Sequence, residues 1–328
     1  MFAGAIIQIF VIMVVPLSLV LGVSEPCSAA SPYPEKPVTM LVGLAAGGAN
    51  DLTARALAEA VKTYLPQPIS IVNKTGGAAS IATADVVHSR PDGYTLLMAY
   101  SPAVVLLPHL NPNLPYKGPG DLEMVCGVNI SPLVLASRSN APWKTMQEML
   151  DHAKKNPGKI RLGHSGIGSV GHIFAEDLKQ AARIDITVVP FAGAAPATTA
   201  LLGGHIDLIN TSPAPLIGHL KNGTIRNLAA YEKKRLARFP DVPTMRELGL
   251  EVIDRSPVYF VAGPKGLSKE VVQTLYQAFS RALKTESFQK FCNDTVHIVD
   301  EKSPEEVRKQ QESDYDFYKQ FFKRIKIE

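Results

Sequence analysis

The sequence predicts an α/β protein made of two doubly wound lobes joined by a two-strand hinge. Three observations carry that expectation. Apolar strand-length runs alternate with helix-length amphipathic runs in two separate blocks, 38–99 and 160–210. Each block opens on a glycine-rich turn between a strand and a helix. After Gly249 the chain returns to strands and then to long helices, so its C-terminal segment is expected to complete the first lobe.

The first block runs as a strand over 38–44, a helix over 49–64 and a strand over 69–72. Gly76-Gly-Ala-Ala-Ser80 then opens a helix through Val87, and a third strand covers 94–99. Residues 111–120, rich in Pro, Gly and Asn, read as a loop, and strands at 124–127 and 132–136 lead out of the lobe. A helix over 145–155 ends at Asn156-Pro-Gly158. The second block follows as strand 160–163, helix 172–182, strand 186–190, helix 195–202 and strand 206–210. Short strands at 251–253 and 258–261 and two closing helices, 268–284 and 303–323, complete the assignment. The expected division is 31–135 plus 254–328 for one lobe and 136–253 for the other.

At 328 residues, 46% hydrophobic and 20% charged, the chain is an ordinary globular protein with room for two cores. A formal charge of +4 with scattered Lys and Arg argues against a nucleic-acid partner, and 232–238, the densest basic stretch, reads as a solvated edge. Residues 1–23 carry no charge, and Ser28-Ala-Ala30 fits a small-x-small cleavage site. The segment 1–30 is therefore expected to be an export signal, with an uncleaved anchor as the alternative. Cys126 and Cys292 lie in apolar settings and are expected to be buried thiols, with pairing the alternative.

The chemistry concentrates at the two turns, Met40-Leu-Val-Gly-Leu-Ala-Ala-Gly-Gly-Ala-Asn-Asp51 and Ile160-Arg-Leu-Gly-His-Ser-Gly-Ile-Gly-Ser-Val-Gly171. A helix entered this way offers backbone N–H groups and the positive end of its dipole to an anion. Gly166-Ile-Gly-Ser-Val-Gly171 spells a dinucleotide fingerprint. However, Asp185 begins the next strand rather than ending it, where a ribose-binding acid would sit. Gly163-His-Ser-Gly166 lacks the second glycine of a nucleophile elbow, since position 167 is Ile. Neither His172 with Glu176 nor His205 with Asp207 gains a third metal ligand at a recognisable spacing. No enzyme activity, cofactor or metal is therefore expected. Asp51 either complements the dipole of its helix or acts as a selectivity element, and Arg55 is read as packing or pairing locally.

Several strings in order resemble the Bug (TctC-like) family, the periplasmic substrate-binding proteins of tripartite tricarboxylate transporters. They are Tyr33-Pro-Glu-Lys-Pro-Val-Thr-Met-Leu-Val42, Ala46-Gly-Gly-Ala-Asn-Asp51, Asn73-Lys-Thr-Gly-Gly-Ala78 and Arg90-Pro-Asp-Gly-Tyr-Thr-Leu96. Ser165-Gly-Ile-Gly-Ser169, Val189-Pro-Phe-Ala-Gly-Ala-Ala-Pro-Ala197, Leu202-Gly-Gly-His-Ile-Asp207 and Phe239-Pro-Asp-Val-Pro-Thr-Met-Arg-Glu-Leu-Gly249 continue the likeness. The resemblance implies a type II periplasmic-binding-protein fold that holds a small carboxylate between its lobes. It further implies delivery to the permease subunits of a membrane transporter by a monomer, with a sensor role as the alternative. It places the ligand against Ala46, Gly47, Gly48, Asn50 and Asp51 on one side. On the other it places Ser165, Gly166, Gly168, Ser169, Phe191, Gly193, Ala194 and Ala195, with Thr211 and Ser212 nearby. The chain departs from the family at Gly43-Leu44, where Pro-Phe is usual, and at Phe191-Ala-Gly193, where Tyr-Lys-Gly is usual.

Overall fold

The computed structural model describes residues 33–324, so the expected signal segment and Cys27 lie outside the described residues. In chain order, β1 (Val38–Val42), α1 (Ala49–Val61), β2 (Ile69–Asn73), α2 (Ser80–Val87) and β3 (Thr95–Tyr100) form the first βαβαβ run. Two short helices follow, α3 (Ser101–Val105) and α4 (Leu107–Leu110), and then β4 (Leu122–Ile130). The chain next builds β5 (Val134–Arg138), α5 (Met146–Lys155), β6 (Arg161–His164), α6 (Val170–Ala182), β7 (Thr187–Pro190), α7 (Ala194–Leu202), β8 (Leu208–Thr211), α8 (Ile217–Lys221) and β9 (Ile225–Ala230). It returns through β10 (Val258–Pro264), α9 (Lys269–Leu283), α10 (Glu286–Thr295), β11 (Ile298–Lys302) and α11 (Pro304–Arg324).

The strands form two sheets, ordered β11-β4-β10-β3-β1-β2 and β7-β6-β8-β5-β9. In the first, β1 pairs in parallel with both β2 and β3, and β10 runs antiparallel between β3 and β4. In the second, β6 pairs in parallel with β7 and β8, while β5 is antiparallel to β8 and β9. The C-terminal segment thus enters the middle of the first sheet. The chain passes between sheets twice, after Ile130 and after Ala230. Val134 and Leu135 already pair in the second sheet.

The central strands read as continuous apolar runs because both their faces are covered. Val38, Met40 and Val42 of β1 and Leu96 to Ala99 of β3 are buried. Side-chain caps fix the helix starts: Thr145 Oγ1 accepts the Glu148 N–H at 3.2 Å, Ser268 Oγ the Val271 N–H at 3.3 Å, and Thr285 Oγ1 the Phe288 N–H at 3.3 Å.

Two assignments are corrected here. Residues 251–253 form no strand, because Ile253 N–H bonds the Asp177 carboxylate at 2.5 Å instead of a neighbouring strand. The chain also closes on three helices rather than two, since α10 and the edge strand β11 follow α9. Cys126 and Cys292 are buried free thiols, and burial pushes the Cys292 thiol up to about 11.

Candidate functional site

In each sheet, successive connections leave the first parallel strand in opposite directions: β1 lies between β2 and β3, and β6 between β7 and β8. Ligand crevices in open α/β sheets form at the carboxyl end of such a switch point. Both glycine turns follow these two strands. The first intrahelical bond of α1 is Leu52 N–H to the Gly48 carbonyl at 2.9 Å, so the N–H groups of Ala49, Asn50 and Asp51 have no acceptor within the helix.

Asp51 braces the first turn. It is 1% exposed, and its carboxylate accepts from Gly47 N–H at 2.9 Å, from Asn73 Nδ2 at 2.9 Å and from Arg55 Nε at 3.0 Å. Arg55 Nη2 also reaches Asn73 Oδ1 at 3.0 Å, and Asn73 Nδ2 reaches the Leu44 carbonyl at 3.2 Å. Burial alone would raise the Asp51 pKa. The Arg55 guanidinium, the Gly47 N–H and the Asn73 amide outweigh it and hold the carboxyl below its ordinary range. The charge of Arg55 is spent on this carboxylate. Asn50, also buried, donates to the Met98 carbonyl at 3.3 Å and so ties the start of α1 to β3. Gly43 is required by close approach: a Cβ there would lie 2.4 Å from that of Ala79. Ala46 and Gly47 are exposed, and Gly48 is half-buried.

In the second turn Ser169 is the N-cap of α6, accepting the His172 N–H at 3.3 Å, and is buried. Gly168 N–H donates to His172 Nδ1 at 3.2 Å, which leaves the His172 proton on Nε2. His164 lies beneath the turn, its Nδ1 2.9 Å from the Gly166 carbonyl, and stacks on His172 with centroids 4.7 Å apart. Burial, then the neighbouring His172, pushes the His164 pKa down to about 4; burial also lowers that of His172. Burial thus favours the neutral form of both rings. Ser165 is exposed and Gly166 half-buried, and the Phe191 N–H bonds the His164 carbonyl at 2.9 Å. Phe191, Gly193 and Ala194 are half-buried and Ala195 exposed where β7 passes into α7. Thr211 ends β8 and is buried, with Ser212 half-buried after it. Asn210, before them, donates to the Gly171 carbonyl at 3.2 Å and accepts from the Tyr231 hydroxyl at 3.0 Å.

The halves meet at these turns. The Tyr100 phenol, at the carboxyl end of β3, is buried beside the Val170 backbone in the first turn of α6. A Cβ on Gly168 would stand 2.9 Å from Leu107 Cδ2 of α4. The carboxyl ends of β3 and β6 therefore face one another. Sequence reasoning missed Tyr100, Leu107 and the histidine stack. Tyr100 carried a usable signal, a polar aromatic residue ending the strand next to a switch point. A cavity of about 770 Å³ also opens elsewhere, lined by Lys233, Lys234, Arg238, Arg255, Cys292 and His297. It contains none of the predicted site residues, and its Arg255 is paired with Asp314.

The profile of the tripartite tricarboxylate transporter family receptor matches residues 53–315. The chain belongs to this family. Protein BugT of Bordetella pertussis is 33% identical over 268 residues, covering 81% of this chain and 82% of that one. The structure of the periplasmic binding protein BugD superimposes with a TM-score of 0.84 at 30% identity, covering 90% of this chain and 99% of that one. MatC from Rhodopseudomonas palustris, solved with bound malate, gives 0.81 at 27% identity, covering 87% and 98%. The fold is the two-lobed periplasmic-binding-protein fold. Like these family members, the chain is a substrate-binding protein and not an enzyme.

Proposed function

We propose that this receptor captures a small organic acid between its two lobes, outside the cytoplasm, and passes it to the membrane subunits of a tripartite tricarboxylate-type transporter. One observation carries the reading. The helices that follow the two switch-point strands, α1 and α6, begin at turns brought together by β3: Asn50 of α1 donates to the Met98 carbonyl, and Tyr100 at the strand's end lies beside the Val170 backbone of α6. Ala46 to Asp51 on one side, and Ser165 to Ser169 with Phe191 to Ala195 on the other, then form the walls of one cleft, with Thr211 and Ser212 at its floor. Backbone N–H groups of α1 and α7, the Ser165 hydroxyl and the Tyr100 phenol proton supply the donors for a carboxylate. The malate bound to MatC supports this ligand chemistry.

Closure is favoured because the closed state alone contacts ligand from both lobes. A thermal-shift screen of organic acids and neutral amides tests the binding role, since a ligand of the folded state raises the melting temperature by mass action. A carboxylate is expected among the stabilising compounds. Stabilisation by neutral compounds only would defeat the reading. Co-purification with co-expressed membrane subunits of a tripartite tricarboxylate-type transporter, strengthened by the bound acid, is expected if transport is the role.

A further inference from the structure

We propose that the cavity beside the two crossings between the sheets is a second ligand site, taking an amphiphilic anion with an apolar body, one negative group and one hydrogen-bond donor. The cavity measures about 770 Å³, within the roughly 300–1,000 Å³ usual for small-molecule pockets. Ile130, residues 232–238 after β9 and residues 254–258 before and at the start of β10 border it, so both crossings reach it. The end of α10 and the start of β11 make the facing wall. No residue of the two glycine turns lines it.

The charge of this wall is in excess on the basic side. Lys233, Lys234 and Arg238 are exposed, and among the described residues their side chains form no ion pair. Arg255 is paired with Asp314, and Arg235 with Glu247, which lies outside the cavity. Apart from Arg235, four basic residues therefore face three carboxylates, Glu232, Asp254 and Asp314. Glu232 already accepts from the Ser256 hydroxyl, and burial raises its pKa, which weakens its claim on a cation. One negative group on a ligand meets this excess, and a concave wall of one sign focuses the field that draws it in.

His297 adds a polar anchor. It is 6% exposed and lines the cavity, and its Nε2 is buried with no hydrogen-bond partner. The Thr295 hydroxyl donates to the Phe291 carbonyl at 2.7 Å, so its oxygen accepts the proton of His297 Nδ1, also at 2.7 Å. Burial pushes the His297 pKa down to about 4 and so favours the neutral ring. In that tautomer Nε2 carries a lone pair, an acceptor that a ligand N–H or O–H would satisfy. Val296, just before it, holds a φ of +62°, an outlier for a β-branched residue. Strain of this kind gathers at ligand clamps and switch regions. The Val296 side chain is buried with Leu236 in the core of the second sheet, and Ile130 and Val258 extend the apolar lining.

Fluorescence titration of the full-length protein with 2,6-anilinonaphthalenesulfonate tests the proposal. This probe has an aromatic body, one sulfonate and one N–H. It is expected to saturate at one molecule per chain. Replacing the exposed Lys233, Lys234 and Arg238 together by Ser should weaken binding at least about tenfold. The N-methylated probe, which lacks the donor, should bind about 3- to 10-fold more weakly to the wild type. His297→Phe keeps the ring and removes the acceptor, and should bind both probes equally. Gly168→Ala, in the glycine-turn cleft, should leave the affinity unchanged. No saturable binding by millimolar probe, or equal affinity for the triple Ser variant and the wild type, overturns the proposal. So does equal binding of the two probes by the wild type. A loss confined to Gly168→Ala would put the probe in the other cleft and overturn it as well.

Discussion

Replacing Asp51 by Asn separates its two possible roles, structural brace and ligand selector. The wild-type carboxylate is a buried acceptor for the Gly47 N–H, the Asn73 amide and the Arg55 guanidinium. Asparagine keeps one acceptor oxygen and points a second donor at groups that are themselves donors. A hydrogen bond to a charged group is worth about 1.5–3 kcal/mol. The Arg55 side chain is 51% exposed, so solvent screens its share heavily. The net loss is then about 2–3 kcal/mol, dominated by the Gly47 and Asn73 bonds. At about 2 °C per kcal/mol for a body of this size, the melting temperature should fall by roughly 4–6 °C.

The pH dependence checks the same account. A carboxyl held below its ordinary value adds stability that is present above about pH 4, the unfolded range, and is lost as pH falls through the folded value. Asp51→Asn should remove that part of the acid limb from melting curves recorded between pH 6 and 3. An unchanged melting temperature with altered preference among organic acids would refute the brace and restore Asp51 as a selector.

Tyr100→Phe should fold normally and weaken binding of the best organic acid by about 3- to 10-fold, the worth of one neutral hydrogen bond; unchanged affinity by calorimetry would remove the phenol from the site. Gly168→Ala adds a methyl against Leu107 at a φ of +77°, which costs an L-residue about 1–2 kcal/mol, and should lower both stability and affinity. Adding Leu107→Ala should restore part of the affinity but not the backbone cost, and a double variant no better than the single would show that the contact does not form on closure. His164 is held neutral, so the stability it contributes is complete above its unfolded value of about 6.5 and is lost as pH falls toward its folded value of about 4. His164→Gln should flatten the melting temperature across that window, and an unchanged slope there would count against the buried neutral imidazole.

Much of the fold was legible because its central strands are mostly apolar, β3 carrying an unbroken buried run from Leu96 to Ala99 and β1 burying Val38, Met40 and Val42. The turns were legible because glycine is needed where backbone crowds backbone, as Gly43 does Ala79. The errors fall where local signals are weak. The edge strand β11, Ile-Val-Asp-Glu-Lys, has no apolar alternation, and α10 is a short amphipathic helix whose start is marked mainly by Thr285. At the site, backbone contributions could be placed by pattern. The partners of Asp51 could not all be, because Asn73 lies 22 residues away and meets it only when β2 pairs with β1. Tyr100 could have been flagged as a polar aromatic residue ending a strand, but its neighbour Val170 could not, because it belongs to the other sheet's half of the molecule.

The central claim is that one carboxylate is held between the two glycine turns by backbone and hydroxyl donors, without a countercharge. A crystal structure with the acid that gives the largest thermal shift tests it most directly. The account predicts carboxylate oxygens within hydrogen-bonding distance of N–H groups among Ala49 to Asp51 and of Tyr100 or Ser165, with no Lys or Arg in contact. A carboxylate seated on a basic side chain, or that acid seated in the cavity lined by Lys233, Lys234 and Arg255 with the cleft empty, would contradict it.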